Sequence, residues 1–264
     1  MRIRNIILAL VVIASVSYRA TAYDKTYAVV VAIGDYKNFT KNNGDLQYTI
    51  SDAYAFYNFL KSREGGSVPS SNICLLTDAN ATKQNIISKS KALFSKAGAN
   101  DRVIFYFSGH GNSGSFMPYD ANSYGSNLLY FSELKEIFRY AKCKTKLIFA
   151  DACFSGSIKA NSSRASSSST SSSSKINIAV MMSCKDNETS MESSDIGHGL
   201  FTYYLIEGLK GRANKDKNEY VTIQELFYYV YQKVVNYASS RPNTKQTPVL
   251  FGNFDLRLIV AKAI

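Results

Sequence analysis

Tryptophan is missing from this 264-residue sequence, and histidine occurs only twice, as His110 and His198. The aromatic share therefore rests on Tyr and Phe alone. Long apolar runs are missing too. The one candidate lies at the extreme N-terminus and is short for a bilayer, so no membrane span is expected once it is removed. Lysines are scattered rather than massed, and no basic stripe with interleaved aromatics occurs, which argues against a nucleic-acid partner. Cysteine is sparse, at positions 74, 143, 153 and 184. Four in a chain this long do not make a disulfide framework. Cys74 and Cys184 sit in or at the end of apolar runs and read as buried free thiols, whereas Cys143 lies in a polar turn and reads as exposed. There is no internal repeat.

What is present fits a folded domain. Apolar residues make up 45% of the chain, and the length suits one large domain or a domain with an added lobe. Residues 1–22 read as a secretory signal peptide. Arg2 and Arg4 precede the apolar run from Ile6 to Ala14, and Ala20-Thr21-Ala22 gives the small-x-small cleavage pattern. The expectation is a mature domain over 23–264 that works in the periplasm or outside the cell. The formal charge is +11, or +8 once Arg2, Arg4 and Arg19 leave with the signal.

The mature sequence alternates strand and helix. Tyr27–Ile33 is a continuous apolar run, as expected of a parallel strand covered on both faces. Ile50, Ala53, Tyr54, Tyr57 and Leu60 recur at helical spacing. Strands are expected at 72–77, 102–107, 146–150, 176–182 and 248–251. Helices are expected after a Thr82 cap, after a Ser132 cap, over 200–209 and over 223–237. The pattern predicts an α/β layered fold with a mainly parallel sheet and helices on both faces. Residues 161–174 are a Ser-rich stretch too polar to offset its ordering entropy, and are expected as a surface loop interrupting this one domain.

Two of the strands run into glycine-rich polar turns, Ser108-Gly109-His110-Gly111 and Asp151-Ala152-Cys153-Phe154-Ser155-Gly156. Sites in open α/β sheets form beyond the carboxyl ends of the strands. A thiolate nucleophile needs a nearby base, and imidazole titrates in the right range. Cys153 is thus the candidate nucleophile and His110 the candidate base. The N–H groups of Gly111 and Cys153 are the candidate oxyanion donors. Residues two apart on a strand share a face, so Ser108 and Asp151 should lie one step deeper on the same side. A carboxylate there would floor a pocket for a Lys or Arg side chain; the other reading of Asp151 is a structural acid bonded to a nearby loop. His198 sits before a helix among polar residues and reads as a solvent-exposed loop residue.

These two turns, with Ser51-Asp52-Ala53, Met182-Ser183-Cys184 and Gly199-Leu-Phe-Thr202, resemble the caspase/metacaspase superfamily from about Tyr27 to about Gly252. The resemblance implies a caspase-like α/β sandwich and a Cys-His dyad. Caspases carry a Gln two residues before the cysteine, whereas Asp151 stands there as in metacaspases, which cut after Arg or Lys. It also implies that Asp52 and Ser108 line the pocket. Asp120 resembles one of the calcium-binding acids of metacaspases. The paired acids expected near Ser132-Glu133 are not found, and Lys159 and Ala160 replace the acid after the cysteine, so no cofactor is expected. Arg164, flanked by Lys159 and Lys175, makes the Ser-rich loop a candidate for self-cleavage. The alternatives to an Arg/Lys-directed endopeptidase are a caspase-fold peptidase of another specificity and an inactive caspase-fold binding protein.

Overall fold

The computed structural model describes residues 23–39, 45–112, 114–122, 126–152, 178–185 and 187–263. The expected signal peptide and Ser-rich loop, together with Cys153, Lys159, Arg164 and Lys175, lie outside them.

The chain order is β1 (Thr26–Ala32), α1 (Thr49–Lys61), β2 (Ile73–Thr77), α2 (Lys83–Phe94) and β3 (Arg102–Ser108). The short β4 (Gly111–Asn112), β5 (Ser115–Phe116) and β6 (Leu129–Tyr130) follow, then α3 (Phe131–Arg139), β7 (Thr145–Asp151) and β8 (Ala179–Met182). Next come β9 (Glu192–Ser193), β10 (His198–Gly199), α4 (Leu200–Glu207), β11 (Tyr220–Thr222), α5 (Ile223–Ser239), β12 (Val249–Gly252) and β13 (Ile259–Lys262).

Six strands form the central sheet in the order β12-β8-β7-β3-β1-β2. All neighbours are parallel except β12, which runs antiparallel to β8. Every residue of β1, β3 and β7 is buried, which is why their central parts, Val103–Phe107 and Leu147–Ala150 among them, read as apolar runs. Alternation splits their side chains between two cores. Val103, Phe105 and Phe107 face α2 and α3, while Ile104 and Tyr106 face α1, α4 and α5. Aromatic stacking adds to both layers: Phe107 lies 4.5 Å from Phe116, and Phe56 of α1 lies 4.5 Å from Tyr106. Each such pair contributes about 0.5–1.5 kcal/mol beyond burial.

Two local expectations change. The helix assigned to a Ser132 cap starts at Phe131, and the Glu133 carboxylate accepts the Tyr130 N–H at 2.9 Å, so the start lies two residues upstream of where Ser132 would place it. Cys143 is buried rather than exposed, because its short turn is folded under α3 and β7. Cys74 is half-buried and Cys184 fully buried. The two-stranded β11–β13 sheet had no counterpart in the sequence reading. Its strands are three and four residues long, too short for alternation to register.

The chain leaves β1 toward β2 on one side and continues from β3 toward β7 on the other. The connections therefore diverge between β1 and β3, the switch point at which open α/β sheets place their ligands.

Candidate active site

The carboxyl ends of β1, β3 and β7 finish level, with Ala32 opposite Ser108 and Ser108 opposite Asp151. The ladder runs one step further, since Gly109 N–H donates to the Asp151 carbonyl at 3.1 Å. His110 is thus delivered at the rim of the switch point. Its backbone N–H donates to the Tyr36 hydroxyl at 2.6 Å, and the two rings lie 5.1 Å apart. Tyr36 follows β1 and is fully buried, so it anchors the turn carrying His110. A Cβ on Gly109 would come within 2.7 Å of that hydroxyl, so the close approach requires glycine. Gly111 follows His110 in β4 and is half-buried.

Strand parity places Ser108 and Asp151 with Ile104, Tyr106, Leu147 and Phe149, on the side facing α1 and α4. Both are buried there. Asp151 accepts three hydrogen bonds. Thr202 N–H donates to Oδ2 at 3.1 Å, the Thr202 hydroxyl donates to the same oxygen at 2.8 Å, and the Ser190 hydroxyl bonds Oδ1. The Tyr106 and Thr202 hydroxyl oxygens lie 2.7 Å apart beneath it. Asp52, on the inner face of α1, is 1% exposed. Its Oδ1 lies 2.8 Å from His198 Nδ1, and both of its oxygens accept from Gly199 N–H at 3.1 Å.

The two carboxylates meet across Gly199. A Cβ on that residue would fall 2.5 Å from Asp151 Oδ2 and 2.7 Å from Asp52 Oδ2. Only a bare Cα fits between them. Together with Ser108, Gly109 and His110 they border a cavity of about 90 Å³. That is far below the roughly 300–1,000 Å³ of sites for drug-sized molecules and on the scale of a single side chain.

Burial raises both acids. The Asp52 carboxyl is pushed up from 3.8 to about 7 by desolvation, with the His198 hydrogen bond opposing and the Asp151 charge adding to the rise. Desolvation also raises Asp151, against the lowering effect of its Ser190 and Thr202 hydrogen bonds. A raised carboxyl binds its proton more tightly in the folded state than in the unfolded chain. The Asp52 contribution to stability is therefore greatest below pH 3.8 and declines as pH climbs to about 7. At ~1.4 kcal/mol per tenfold, the loss has a ceiling of about 4 kcal/mol. Asp52→Asn is expected to raise the melting temperature at pH 8 by several degrees, corresponding to about 1–2 kcal/mol, with a smaller gain at pH 4. Calorimetry at the two pH values checks this, and equal gains at both would rule out charge as the cause.

The sequence-predicted residues Ser108, His110, Asp151 and Asp52 are brought to one cavity. Cys153 follows Asp151 by two residues and lies outside the described residues. His198 departs from its expected place: it pairs with Ser193 in β10 and turns its ring onto Asp52, leaving 28% of the side chain exposed. The cause is the β9–β10 hairpin, which folds this polar stretch back over α1. Thr202, Ser190, Gly199 and Tyr36 had been given no role from sequence. Gly199 and Thr202 lie within a stretch already matched by resemblance, which was the available signal.

Asp120, which resembles a calcium-binding acid of metacaspases, is hydrogen-bonded within the chain. Its Oδ1 accepts the Lys83 N–H at 2.8 Å at the start of α2, and Glu133 is paired with Lys83 Nζ at 2.9 Å. Among the described residues, no three His, Cys, Asp or Glu are grouped to hold a metal.

Among solved structures, the chain is similar to caspase-1 from Spodoptera frugiperda, with a TM-score of 0.63, 15% identity and 87% of each chain covered. It is also similar to a structural-genomics protein from Geobacter sulfurreducens, with a TM-score of 0.58, 16% identity, and 88% of this chain and 94% of that one covered. These likenesses carry the fold. A curated relative, a probable protease from a Desulfuromonadales bacterium, is 24% identical over 261 residues. The alignment covers 86% of this chain and 32% of the relative, so the chain spans about a third of that protein's length. The caspase domain family matches residues 25–257. With that match running from the first strand past the last strand of the central sheet, the chain belongs to the caspase family of cysteine peptidases.

Proposed function

We propose that the protein is a secreted or periplasmic cysteine endopeptidase that hydrolyses peptide bonds after Arg or Lys. One observation carries the specificity: the Asp151 and Asp52 carboxylates converge beside His110 in a cavity of side-chain size. Two buried acids next to each other raise one another's proton affinity. A guanidinium or ammonium entering between them supplies the missing positive charge.

In this reading His110 takes the proton from the Cys153 thiol. The thiolate attacks the scissile carbonyl carbon, and the resulting oxyanion accepts hydrogen bonds from the N–H groups of Gly111 and Cys153. The imidazolium then protonates the leaving amine. Water, deprotonated by His110, attacks the thioester, and cleavage of its C–S bond regenerates the thiolate. Tyr36 holds the base in register through the His110 N–H. The substrates are proteins or peptides with a basic residue before the cut. No step is assigned to calcium or to any cofactor. Arg164, Lys159 and Lys175 are the positions at which the enzyme would cut its own Ser-rich loop.

The three hydrogen bonds on Asp151 favour a second reading, a caspase-fold peptidase in which this acid is structural and the specificity differs. A fluorogenic peptide panel varied at the residue before the cut separates the two. Arg and Lys peptides are expected to be cleaved at least about 30-fold better than Asp or neutral ones, given the ~2–5 kcal/mol at stake in a buried charge pair. Efficient cleavage after Asp would reject the acidic pocket. A wild-type protein that cleaves nothing, and whose Cys153 resists thiol-reactive labels, would point to a binding protein.

A further inference from the structure

We infer that His198 is a positioning residue for the pocket, holding the Asp52 carboxylate in place and aimed so that it can receive the basic side chain of the substrate. This rests on the Arg/Lys reading of the site and adds to it a residue that neither touches the scissile bond nor belongs to the dyad.

The geometry is specific. His198 Nδ1 lies 2.8 Å from Asp52 Oδ1, and the next residue, Gly199, donates its N–H to the same carboxylate. The β9–β10 hairpin that carries both is itself tied to α1. Its Glu192 accepts the N–H groups of Gln47 and Tyr48, at 3.0 and 2.7 Å, just ahead of the helix that bears Asp52. The hairpin is therefore fastened to the start of the helix. His198 lines a wide groove along α1 and α4 together with Asn58, Tyr203 and Glu207, while its partners Asp52 and Gly199 line the inner cavity. On the groove side it is accessible to water.

The energetics give this contact a purpose. The groups facing Asp52 are Asp151 from β7, Tyr106 from β3 and His198 from β10, with Glu192 of β9 acting on Asp151. Burial and the Asp151 charge oppose ionisation of Asp52, whereas His198 and the Gly199 N–H favour it. The hydrogen bond from His198 is the largest influence favouring the carboxylate. Without it, burial beside Asp151 pushes the Asp52 carboxyl up further and weakens the negative charge of the pocket at neutral pH. The bond also takes Oδ1, directing the remaining capacity of Oδ2 toward Asp151 and the cavity.

Steady-state kinetics with an Arg peptide test the assignment in wild type, His198→Leu and His198→Asn. The Leu variant is expected to raise KM about 10- to 100-fold, the worth of one charge-assisted hydrogen bond, with kcat held within a few-fold. The rate at which iodoacetamide alkylates Cys153 should not change. The rise of kcat/KM with pH should move to higher pH. The Asn amide reaches the same oxygen and is expected to restore most of the wild-type KM. Should the Leu variant fold poorly, comparing Asp52→Asn with Asp52→Asn/His198→Ala decides the question, because removing His198 should cost nothing further once Asp52 is uncharged. A wild-type enzyme that cuts Arg peptides while His198→Leu and His198→Ala keep its KM and pH profile overturns this inference alone. A wild-type enzyme indifferent to Arg and Lys overturns the pocket reading and this inference together.

Discussion

Replacing either member of the proposed dyad, Cys153→Ala or His110→Ala, is expected to lower kcat/KM by about 10⁴-fold or more, since nucleophile and base act as a unit. The double variant should be little worse than either single one. The His110 side chain is half-buried and its turn is anchored through the backbone N–H to Tyr36, so removing the imidazole leaves that anchor intact. Unchanged melting curves should accompany the lost activity. The same variants address self-processing. Mass spectrometry of the wild-type chain is expected to find cuts after Arg164, Lys159 or Lys175, and Cys153→Ala should remain a single chain. A wild-type chain that stays whole while cutting external peptides would remove self-cleavage from the proposal and leave the peptidase standing. Substantial turnover by His110→Ala would remove His110 as the base.

The second large effect belongs to Asp151. Asp151→Asn keeps the shape of the side chain and removes its charge. Cleavage after Arg or Lys is expected to fall about 10²–10³-fold, in line with losing one partner of a buried charged contact. Activity toward neutral peptides, if any is present in the wild type, should change little. Asp151→Ala carries an added cost. It strands the Thr202 N–H and hydroxyl and the Ser190 hydroxyl, all of which now end on the carboxylate, at about 1–3 kcal/mol for each group left without a partner. The Asn variant is therefore the cleaner probe. Equal losses on basic and neutral peptides would mean that Asp151 supports the fold of the site rather than its selectivity.

The two acids also link stability and activity. Charged carboxylates are destabilising where Asp52 and Asp151 stand, because burial raises both. Neutralising Asp52 is expected to stabilise the protein and weaken its grip on basic substrates at once, the trade-off common to sites that hold strained charge.

Much of this is legible in the sequence. β1, β3 and β7 are buried on both faces, so their central residues are apolar without alternation, and such runs stand out. The abrupt change to glycine and polar residues after β3 and β7 marks the ends where a parallel sheet opens to solvent. Period-two alternation then placed Ser108 and Asp151 on one side, and they are register partners in the sheet. The opposite holds for Cys143, which a polar turn disguised, and for α3, whose start depends on a Glu133 side chain reaching back rather than on the nearest serine.

From the sequence alone came the α/β class, the strands that end at the site, and the pairing of a histidine turn with a cysteine turn. Tertiary structure alone decided who meets Asp52. His198 lies 146 residues away in a polar stretch with no period, and nothing local distinguishes it from a surface loop. Such contacts depend on how a hairpin is folded over a helix, and that is set by packing between distant segments. Strand burial writes itself into every residue of a run, whereas a single hydrogen bond across the fold leaves one unremarkable letter in the sequence.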